Sequence, residues 1–169
     1  MFKFYLLISL ITFVNSYSQE VKKKYDEYEN KFYLSLQDEI YLAINDENRT
    51  SSFTINILKI YNSKDTTYYL IITAKHKYKF FCSSIESRYV ILYDTDKSIV
   101  LKPSHYECDE DNVRKKYIFD FQIHKNDLLN LLNAKKIKIE IYCTDGELQG
   151  YFSDDNFIEF RKFITNYVK

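Results

Sequence analysis

The sequence predicts a mainly β protein of the α+β class. We expect an antiparallel β-sandwich or roll of about eight strands, with a short helix near 126–133 and a C-terminal amphipathic helix over 154–168. From Lys31 onward the apolar side chains recur with a period of two, which is typical of half-buried strands. Helical spacing occurs only after residue 125, so strands do not alternate with helices as they do in a parallel α/β sheet.

The composition excludes several classes of protein. The 169 residues carry 24 Lys+Arg and 24 Asp+Glu, so the formal net charge is zero, whereas nucleic-acid binders are strongly basic. Two glycines and one proline exclude collagen-like and low-complexity architectures, and they leave no glycine-rich loop for a phosphate. The length corresponds to about one domain.

The N-terminus predicts a signal peptide over residues 1–18. Lys3 precedes an apolar run from Phe4 to Val14, and the small residues Ser16 and Ser18 suit a cleavage site after position 18. The run is shorter than the roughly 20 apolar residues of a membrane helix. We therefore expect an exported protein, periplasmic or extracellular, which is soluble and does not insert into the membrane after cleavage. The alternative is that this run is a buried strand or helix of the domain.

Two further features of the sequence concern the predicted localisation and source of the protein. No cysteine lies near the cleavage site, so the protein is not expected to be a lipoprotein. The chain is rich in Lys, Ile, Asn and Tyr, which indicates an AT-rich genome and a bacterial source.

After the predicted signal peptide, residues 19–30 form a charged lead-in, interpreted as a frayed tail or a short helix. Residues 31–169 then form a single β-rich domain, because no linker or repeat divides them.

Alternation first predicts strands in the runs 32–37 and 40–44. Further alternating segments separated by turn residues predict three hairpins and one additional strand. These are the hairpins 53–61 with 66–75, 89–93 with 99–101 and 137–143 with 148–152, and the strand 117–123. Asn126 and Asp127 are interpreted as the cap of the short helix. In the last helix, Phe157, Phe160 and Ile164 fall at helical spacing, so we expect this stripe to pack on the inner face of the hairpin 137–152.

Export places the three cysteines, Cys82, Cys108 and Cys143, in an oxidising compartment. Cys143 continues the apolar face of the last predicted hairpin, which indicates a buried small side chain. If the strands that precede Cys82 and Cys108 belonged to one meander, both cysteines would emerge at the same end. We therefore expect a Cys82–Cys108 disulfide, which would stabilise the fold by about 3 kcal/mol. The alternative is that all three thiols are reduced.

The sequence assigns no metal site, no cofactor and no catalytic residue. His105 to Asp111 contains a histidine, a cysteine and several carboxylates, but no second ligand pair at zinc spacing accompanies it. It is interpreted as an acidic loop, balanced by the basic residues 114–116. No serine elbow and no paired-histidine helix is present. A facing pair of carboxylates, as in glycosidases, stays open as an alternative.

The high tyrosine content predicts a binding face, and this is the only specific hypothesis about binding that the sequence supports. Tyrosine and phenylalanine on strands and loops form binding faces for sugars, peptides and proteins. The candidates for such a face are Tyr68, Tyr69, Tyr78, Tyr106 and Tyr151. The alternative is that the 17 Tyr and 13 Phe fill the core of a chain that has no Trp. The sequence therefore favours a non-enzymatic domain that binds an unknown protein, peptide or glycan, with a small hydrolase as the alternative.

Overall fold

The computed structural model describes residues 21–44, 51–76, 90–94, 97–110, 115–143 and 146–168. The strands within these ranges are β1 (Val21–Asp26), β2 (Lys31–Leu36), β3 (Ile40–Ile44), β4 (Ser51–Tyr61), β5 (Thr66–His76), β6 (Val90–Asp94), β7 (Lys97–Leu101), β8 (His105–Glu110), β9 (Lys115–Ile123), β10 (Lys138–Cys143) and β11 (Gly146–Tyr151). The helices are α1 (Lys125–Leu132) and α2 (Asp154–Tyr167). The predicted mainly β class and the C-terminal helix are confirmed, with more strands than expected.

The described strands form one antiparallel sheet in the order β7-β6-β10-β11-β3-β4-β5-β9-β8, and β2 pairs with both β1 and β4. We call β1, β2, β4, β5, β9 and β8 the large half, and β7, β6, β10 and β11 the small half. β3 connects the two halves, since it pairs with β4 on one side and β11 on the other. β7 also contacts β9, so the sheet curls back on itself as a roll.

The three predicted hairpins are confirmed, because β4 pairs with β5, β6 with β7 and β10 with β11. The sheet bends where β2 and β3 lie one after the other along the same edge of β4. At Asn56, between the stretches of β4 that pair with β2 and with β3, side-chain hydrogen bonds take the place of backbone pairing. The Asn56 Oδ1 accepts from the Leu36 N–H at 3.1 Å, and its Nδ2 donates to the Leu36 carbonyl at 3.3 Å.

One face of the large half, the inner face, carries the core. Alternation along β4, β5 and β9 brings apolar side chains into register, such as Ile57 opposite Leu70, and Leu70 opposite Phe121. All three are 0% exposed. A fully buried side chain of this size contributes roughly 1.5–3 kcal/mol, so these central strands form the most stable part of the fold.

Helix α2 covers this core, as the sequence predicts. Ser153 is its N-cap, and the Ser153 side chain accepts a hydrogen bond from the Asn156 N–H. Phe160 is 1% exposed and Ile164 is 0% exposed. The ring of Phe152, in the hairpin 137–152, lies 4.8 Å from the ring of Phe160. The aromatic stripe is therefore buried, as its helical spacing predicts, and Phe160 contacts Phe152 at the end of the last predicted hairpin.

The short helix α1 begins earlier than its predicted cap. Its N-cap is His124, whose side chain makes no capping bond, and its carbonyl accepts from the Asp127 and Leu128 N–H groups. Leu128 is 0% exposed and Leu131 is 3% exposed, so these two leucines bury the helix. Asp127 therefore lies in the first turn, where its charge favours the positive end of the helix dipole.

Three interpretations of the sequence are corrected by the topology. Residues 21–26 of the charged lead-in are strand β1, because pairing with β2 satisfies their backbone. Residues 105–110, expected in an acidic loop, are strand β8, which pairs with β9 along its whole length. β5 does not join the hairpin β6–β7 in a meander. It pairs with β9, whereas β6 pairs with β10.

Candidate functional site

Three aromatic side chains form a row across the end of the large half, beyond the part of the core that α2 covers. Tyr25 lies opposite Phe32, and Phe32 lies opposite Tyr61, on three adjacent strands. The ring centroids of Tyr25 and Phe32 are 4.7 Å apart, and those of Phe32 and Tyr61 are 5.3 Å apart. Tyr25 is 45% exposed, while Phe32 and Tyr61 are half-buried. We call these three residues the aromatic row.

Two lysines lie over the aromatic row. The Lys23 Nζ is 5.0 Å from the Phe32 ring centroid, and the Lys59 Nζ is 5.1 Å from the Tyr61 ring centroid. Lys59 also donates a 2.7 Å hydrogen bond to the carbonyl of Tyr167, in the last turn of α2. This bond satisfies one carbonyl that the helix leaves unpaired. Burial lowers the pKa of the Lys59 ammonium, and the charge of Lys125 lowers it further.

A compact turn presents Tyr25 at the edge of the row. Asp26 Oδ1 accepts from the Tyr28 N–H at 3.0 Å and from the Glu29 N–H at 3.2 Å. Asn30 has a φ of 52°, in the left-handed region that asparagine tolerates better than most residues. Its side chain accepts a 2.8 Å bond from the Tyr25 hydroxyl, which ties the ring to the turn.

On the opposite, outer face of the same strands, Tyr69 lines a small cavity of about 110 Å³. Lys31 borders the cavity and forms a 2.8 Å ion pair with Glu29, which also accepts from the Tyr33 hydroxyl at 3.1 Å. The hydrogen bond from Lys31 lowers the pKa of Glu29, and the bond to Glu29 raises the pKa of Lys31. The pair is solvent-exposed, so it contributes little to stability.

The structure separates the five tyrosines that the sequence proposed as one binding face. Tyr68 is 4% exposed in the core, whereas Tyr69 lies on the outer face. Tyr106 packs against the ring of Phe119 at 5.4 Å, on the inner side of β8. Tyr151 lies in the small half, and Tyr78 lies outside the described residues. These tyrosines therefore do not form one surface.

The residues of the aromatic row were missed, although their sequence carries a partial signal. The alternation that begins at Lys31 predicts a strand for Phe32, and Tyr61 ends the first strand of the first predicted hairpin. Tyr25 was placed in the charged lead-in, because three consecutive lysines conceal the strand there. The row exists only through the register of β1 and β2 on β4, which joins residues distant in sequence. No local pattern specifies that register.

Glu140, in the small half, is a charged side chain buried on a sheet surface. It is 4% exposed, forms an ion pair with Lys138 and accepts a 2.7 Å bond from the Tyr142 hydroxyl. Lys138 also lies 5.7 Å from the ring of Tyr151, whose hydroxyl donates to Gln149 at 3.2 Å. The buried Glu140 carboxylate therefore has hydrogen-bonding and ionic partners. We interpret Lys138, Glu140 and Tyr142 as residues that stabilise β10.

A group of two carboxylates, Glu107 and Asp120, lies on the outer face of β8 and β9. His105 is directly opposite Asp120, and Glu107 follows on the same side of β8. Burial raises the pKa of the Asp120 carboxyl above its ordinary value of 3.8, His105 opposes that shift, and Glu107 adds to it. Cys108 has the opposite orientation on β8, so strand alternation divides the predicted ligand cluster between two faces. Within the described residues, no group of three His, Cys, Asp or Glu side chains could hold a metal ion.

Cys108 is a free, exposed cysteine. The predicted Cys82–Cys108 disulfide is therefore not seen, and Cys82 itself lies outside the described residues. The prediction assumed that β5 continues into a meander with β6 and β7, and the observed pairing removes that assumption. The side chain of Cys143 also lies outside the described part of the chain.

No helix in the described ranges is long and apolar enough to cross a membrane. Within the described residues, the aromatic row with its two lysines and the carboxylates of β8 and β9 lie on opposite faces of the sheet. Comparisons of the chain with protein-family models, with curated proteins and with solved structures found no match.

Proposed function

We propose that this protein is an exported, non-enzymatic binding domain that holds a segment of another protein on the aromatic row. The observation that carries this proposal is the placement of Tyr25, Phe32 and Tyr61 in contact across three strands, with Tyr25 45% exposed. Tyrosine and other aromatic residues dominate the energetically important positions of protein interfaces. Tyr28, in the turn that follows β1, is also fully exposed.

Burial of the row would supply stabilisation that the isolated chain does not obtain from it. An aromatic side chain buries about 150–250 Å² when it is covered, and apolar burial contributes roughly 25 cal/mol per Å². Tyr61 packs against the core, whose central residues such as Phe119 and Phe121 are 0% exposed, so Tyr25 is the most exposed member of the row. The exposed part of the row therefore represents binding energy that a partner could gain.

The arrangement of the rings favours a peptide segment over a glycan. Sugars bind to aromatic side chains by lying on an open ring face. Here the rings of Phe32 and Tyr61 are stacked at an interplanar angle of 22°, and Lys23 and Lys59 lie over the same two rings. The two lysines therefore leave less open ring face for a sugar at Phe32 and Tyr61. The aromatic row together with the lysine stems suits apolar side chains of a partner protein.

The lysines indicate the charge of the partner. Lys59 is partly desolvated, and burial lowers the pKa of its ammonium group. A carboxylate brought in by the partner would offset that cost, because opposite charges attract more strongly away from bulk water. Lys23 offers a second, exposed ammonium on the neighbouring edge strand. The segment bound should therefore contain aromatic or aliphatic side chains together with Asp or Glu.

Titration with synthetic peptides tests this proposal. Extended peptides that alternate aromatic and acidic residues should shift the backbone NMR resonances of 21–34 and 58–61, whereas versions with Lys in place of the acids should not. Tyr25→Ala/Phe32→Ala should weaken binding by at least about tenfold, the effect of losing 1.4 kcal/mol. Tyr41→Ala is the matched control, because Tyr41 is a 65% exposed tyrosine on β3.

Two outcomes would contradict the proposal. The first is a set of peptide-induced shifts that map elsewhere, for example to Tyr151 in the small half. The second is binding at the row by neutral oligosaccharides and not by any peptide of the set.

Export itself is tested by the mature N-terminus. We propose that residues 1–18 direct export and are then removed. The protein recovered from outside the cytoplasm of its producing cell should begin at Gln19. An N-terminus at Met1 in the exported fraction, or retention of all the protein in the cytoplasm, would contradict this part of the proposal.

The alternative function, a small hydrolase, rests on one observation. Burial and the nearby Glu107 raise the pKa of Asp120, as expected for a general acid beside a second carboxylate. The purified protein would then hydrolyse fluorogenic glycoside or ester substrates, and Asp120→Asn would abolish that activity while the fold persisted. If the wild type hydrolyses none of these substrates, or if Asp120→Asn hydrolyses them as fast as the wild type, the hydrolase alternative is wrong.

A further inference from the structure

The large half ends in a single strand at each side. Among the described residues, β1 pairs only with β2, and β8 pairs only with β9. Residues 22–25 and 107–109 on these two strands are exposed. An edge strand leaves alternate backbone N–H and C=O groups without a ladder partner, and these groups can pair with a strand of another chain.

The two edges carry charges of opposite sign. On the outer face, β1 presents Lys22 and Lys24, whereas β8 presents Glu107 and Asp109. Lys22 and Lys24 border an open cavity of about 420 Å³, so a neighbour can approach them. Charged edge strands normally resist pairing with copies of themselves. Like charges therefore oppose the pairing of β1 with β1 and of β8 with β8, whereas β1 and β8 attract each other.

The strand directions suit the pairing of β1 with β8. The large half has the strand order β1-β2-β4-β5-β9-β8, and each strand is antiparallel to its neighbour, so β1 and β8 run in opposite directions. A second copy placed beside the first in the same orientation brings its β8 antiparallel to β1, with the inner faces on the same side. Because hydrogen-bonded and non-bonded pairs alternate along each ladder, the free backbone groups of the two edges match when the copies are offset by an even number of residues.

We propose that β8 of one copy pairs with β1 of the next, so that the large halves join edge to edge. One antiparallel register overlaps both strands completely, from Val21 opposite Glu110 to Asp26 opposite His105. In this register, each pair on the outer face joins a basic and an acidic residue: Lys22 with Asp109, Lys24 with Glu107, and His105 with Asp26. Cross-strand pairs of this kind stabilise a sheet, as the pairing of Asp109 with Lys116 does within the chain.

The required offset between the copies satisfies the ladder. Following the observed registers from β1 to β8, Lys24 and Glu107 of one chain lie six residues apart along the strand direction, an even number. The second copy is therefore displaced by about 20 Å along the strands, at roughly 3.4 Å per residue. A register shifted by two residues brings Asp26 opposite Glu107 in one direction and opposite Pro103, beyond the end of β8, in the other.

The same register continues the aromatic row on the inner face. Tyr25 lies opposite Tyr106 of the second copy, and directly opposite residues in an antiparallel pair have Cβ atoms about 4.5–5.5 Å apart. Within its own chain, the Tyr106 ring packs 5.4 Å from that of Phe119, as Tyr25 packs 4.7 Å from Phe32. The rings of two copies therefore form one row across the contact.

This contact produces an open assembly and not a closed dimer. Its two surfaces differ, so each copy retains one free β1 or one free β8 for a further copy. Two strands of six residues form a smaller contact than a standard interface, which buries about 800 Å² per partner, so we expect weak and reversible association. The inference goes beyond the proposed function, because a peptide can bind the row of a single chain.

Sedimentation velocity over a range of concentrations tests the assembly. The wild type should form species that grow beyond two chains as its concentration approaches about 1 mM, the range in which weak contacts are populated. Higher salt should shift the distribution towards single chains, because it screens the charges. A single chain at every concentration would overturn the proposal. So would growth that stops at two chains.

A charge swap within one chain tests the register. Lys24→Glu and Glu107→Lys should each weaken association at least about tenfold, because each places like charges opposite each other. The double variant Lys24→Glu/Glu107→Lys should associate nearly as well as the wild type, because the pair is restored with its signs exchanged. Lys97→Glu is the matched control, since Lys97 is an exposed lysine on the end strand β7, and it should associate like the wild type.

Hydrogen exchange locates the contact. Amides of 21–26 and 105–110 should gain protection as the wild-type concentration rises, whereas those of 97–101 should not. Circular dichroism establishes that each variant is folded before its association is compared. A double variant that associates no better than either single variant would refute the register, and an equal loss in Lys97→Glu would show an effect of net charge. If peptides bind a protein that never assembles, this inference fails and the proposed function stands.

Discussion

Truncation of Phe160 tests whether α2 is an integral part of the core. Its side chain is 1% exposed, and its ring lies 4.8 Å from the ring of Phe152. Replacing a buried phenylalanine by alanine costs about 3–5 kcal/mol, because apolar contacts are lost and a cavity remains. Each kcal/mol lowers the Tm of a domain of this size by roughly 2–4 °C. We therefore expect Phe160→Ala to lower the Tm by about 6–20 °C.

Urea unfolding followed by far-UV circular dichroism measures this effect as a free energy. The midpoint of Phe160→Ala should fall while the slope m stays constant, which shows that stability and not the unfolded state has changed. Lys162→Ala is the matched control, because Lys162 is exposed on the same helix and should change stability by less than about 0.5 kcal/mol. A midpoint for Phe160→Ala equal to that of the parent would show that α2 does not belong to the core.

Three further substitutions probe other parts of the fold. Asp120→Asn should stabilise the protein at neutral pH, because burial raises the pKa of the Asp120 carboxyl above 3.8 in the folded state. A raised folded-state pKa adds stability only while the group is protonated, so the wild type should lose stability as pH rises from 3.8 through that pKa; urea titrations that show the same loss in Asp120→Asn would contradict this. Gly150→Ala should cost about 1–3 kcal/mol in urea unfolding, because the new Cβ would lie 2.7 Å from Phe53 Cε1; a neutral result would mean that this ring moves freely. Ser153→Ala should cost about 1 kcal/mol by removing the N-cap of α2, and unchanged thermal unfolding would show that the cap is dispensable.

The parts of the fold that the sequence predicts correctly are those set by local chemistry. The turn of Asn62 and Asp65 lies between two alternating runs, and β4 pairs with β5 along its whole length there. Ser153 precedes a stripe of aromatic residues at helical spacing, and it caps α2. In each case the residues that specify the element are neighbours in the chain, so period and turn chemistry suffice.

The parts that the sequence does not predict depend on pairing between distant strands. Strand β1 contains a run of lysines, which locally favours a solvated segment, and it is a strand because β2 offers it a complete ladder. β8 is strongly acidic, yet Glu110 lies opposite Lys115 and Asp109 opposite Lys116 on β9. Cross-strand pairs of opposite charge stabilise such strands, but the pairs become visible only once the register is known.

The same limit explains why the candidate binding face was misplaced. Tyr68 and Tyr69 are adjacent in sequence, and strand alternation sends one into the core and the other to the outer face. Whether a strand tyrosine is buried depends on what covers its side of the sheet. Near Tyr68 that cover is α2, whose Tyr167 carbonyl accepts the bond from Lys59. A step of one residue along the strand changes the face, but only the tertiary structure decides which face is exposed to solvent.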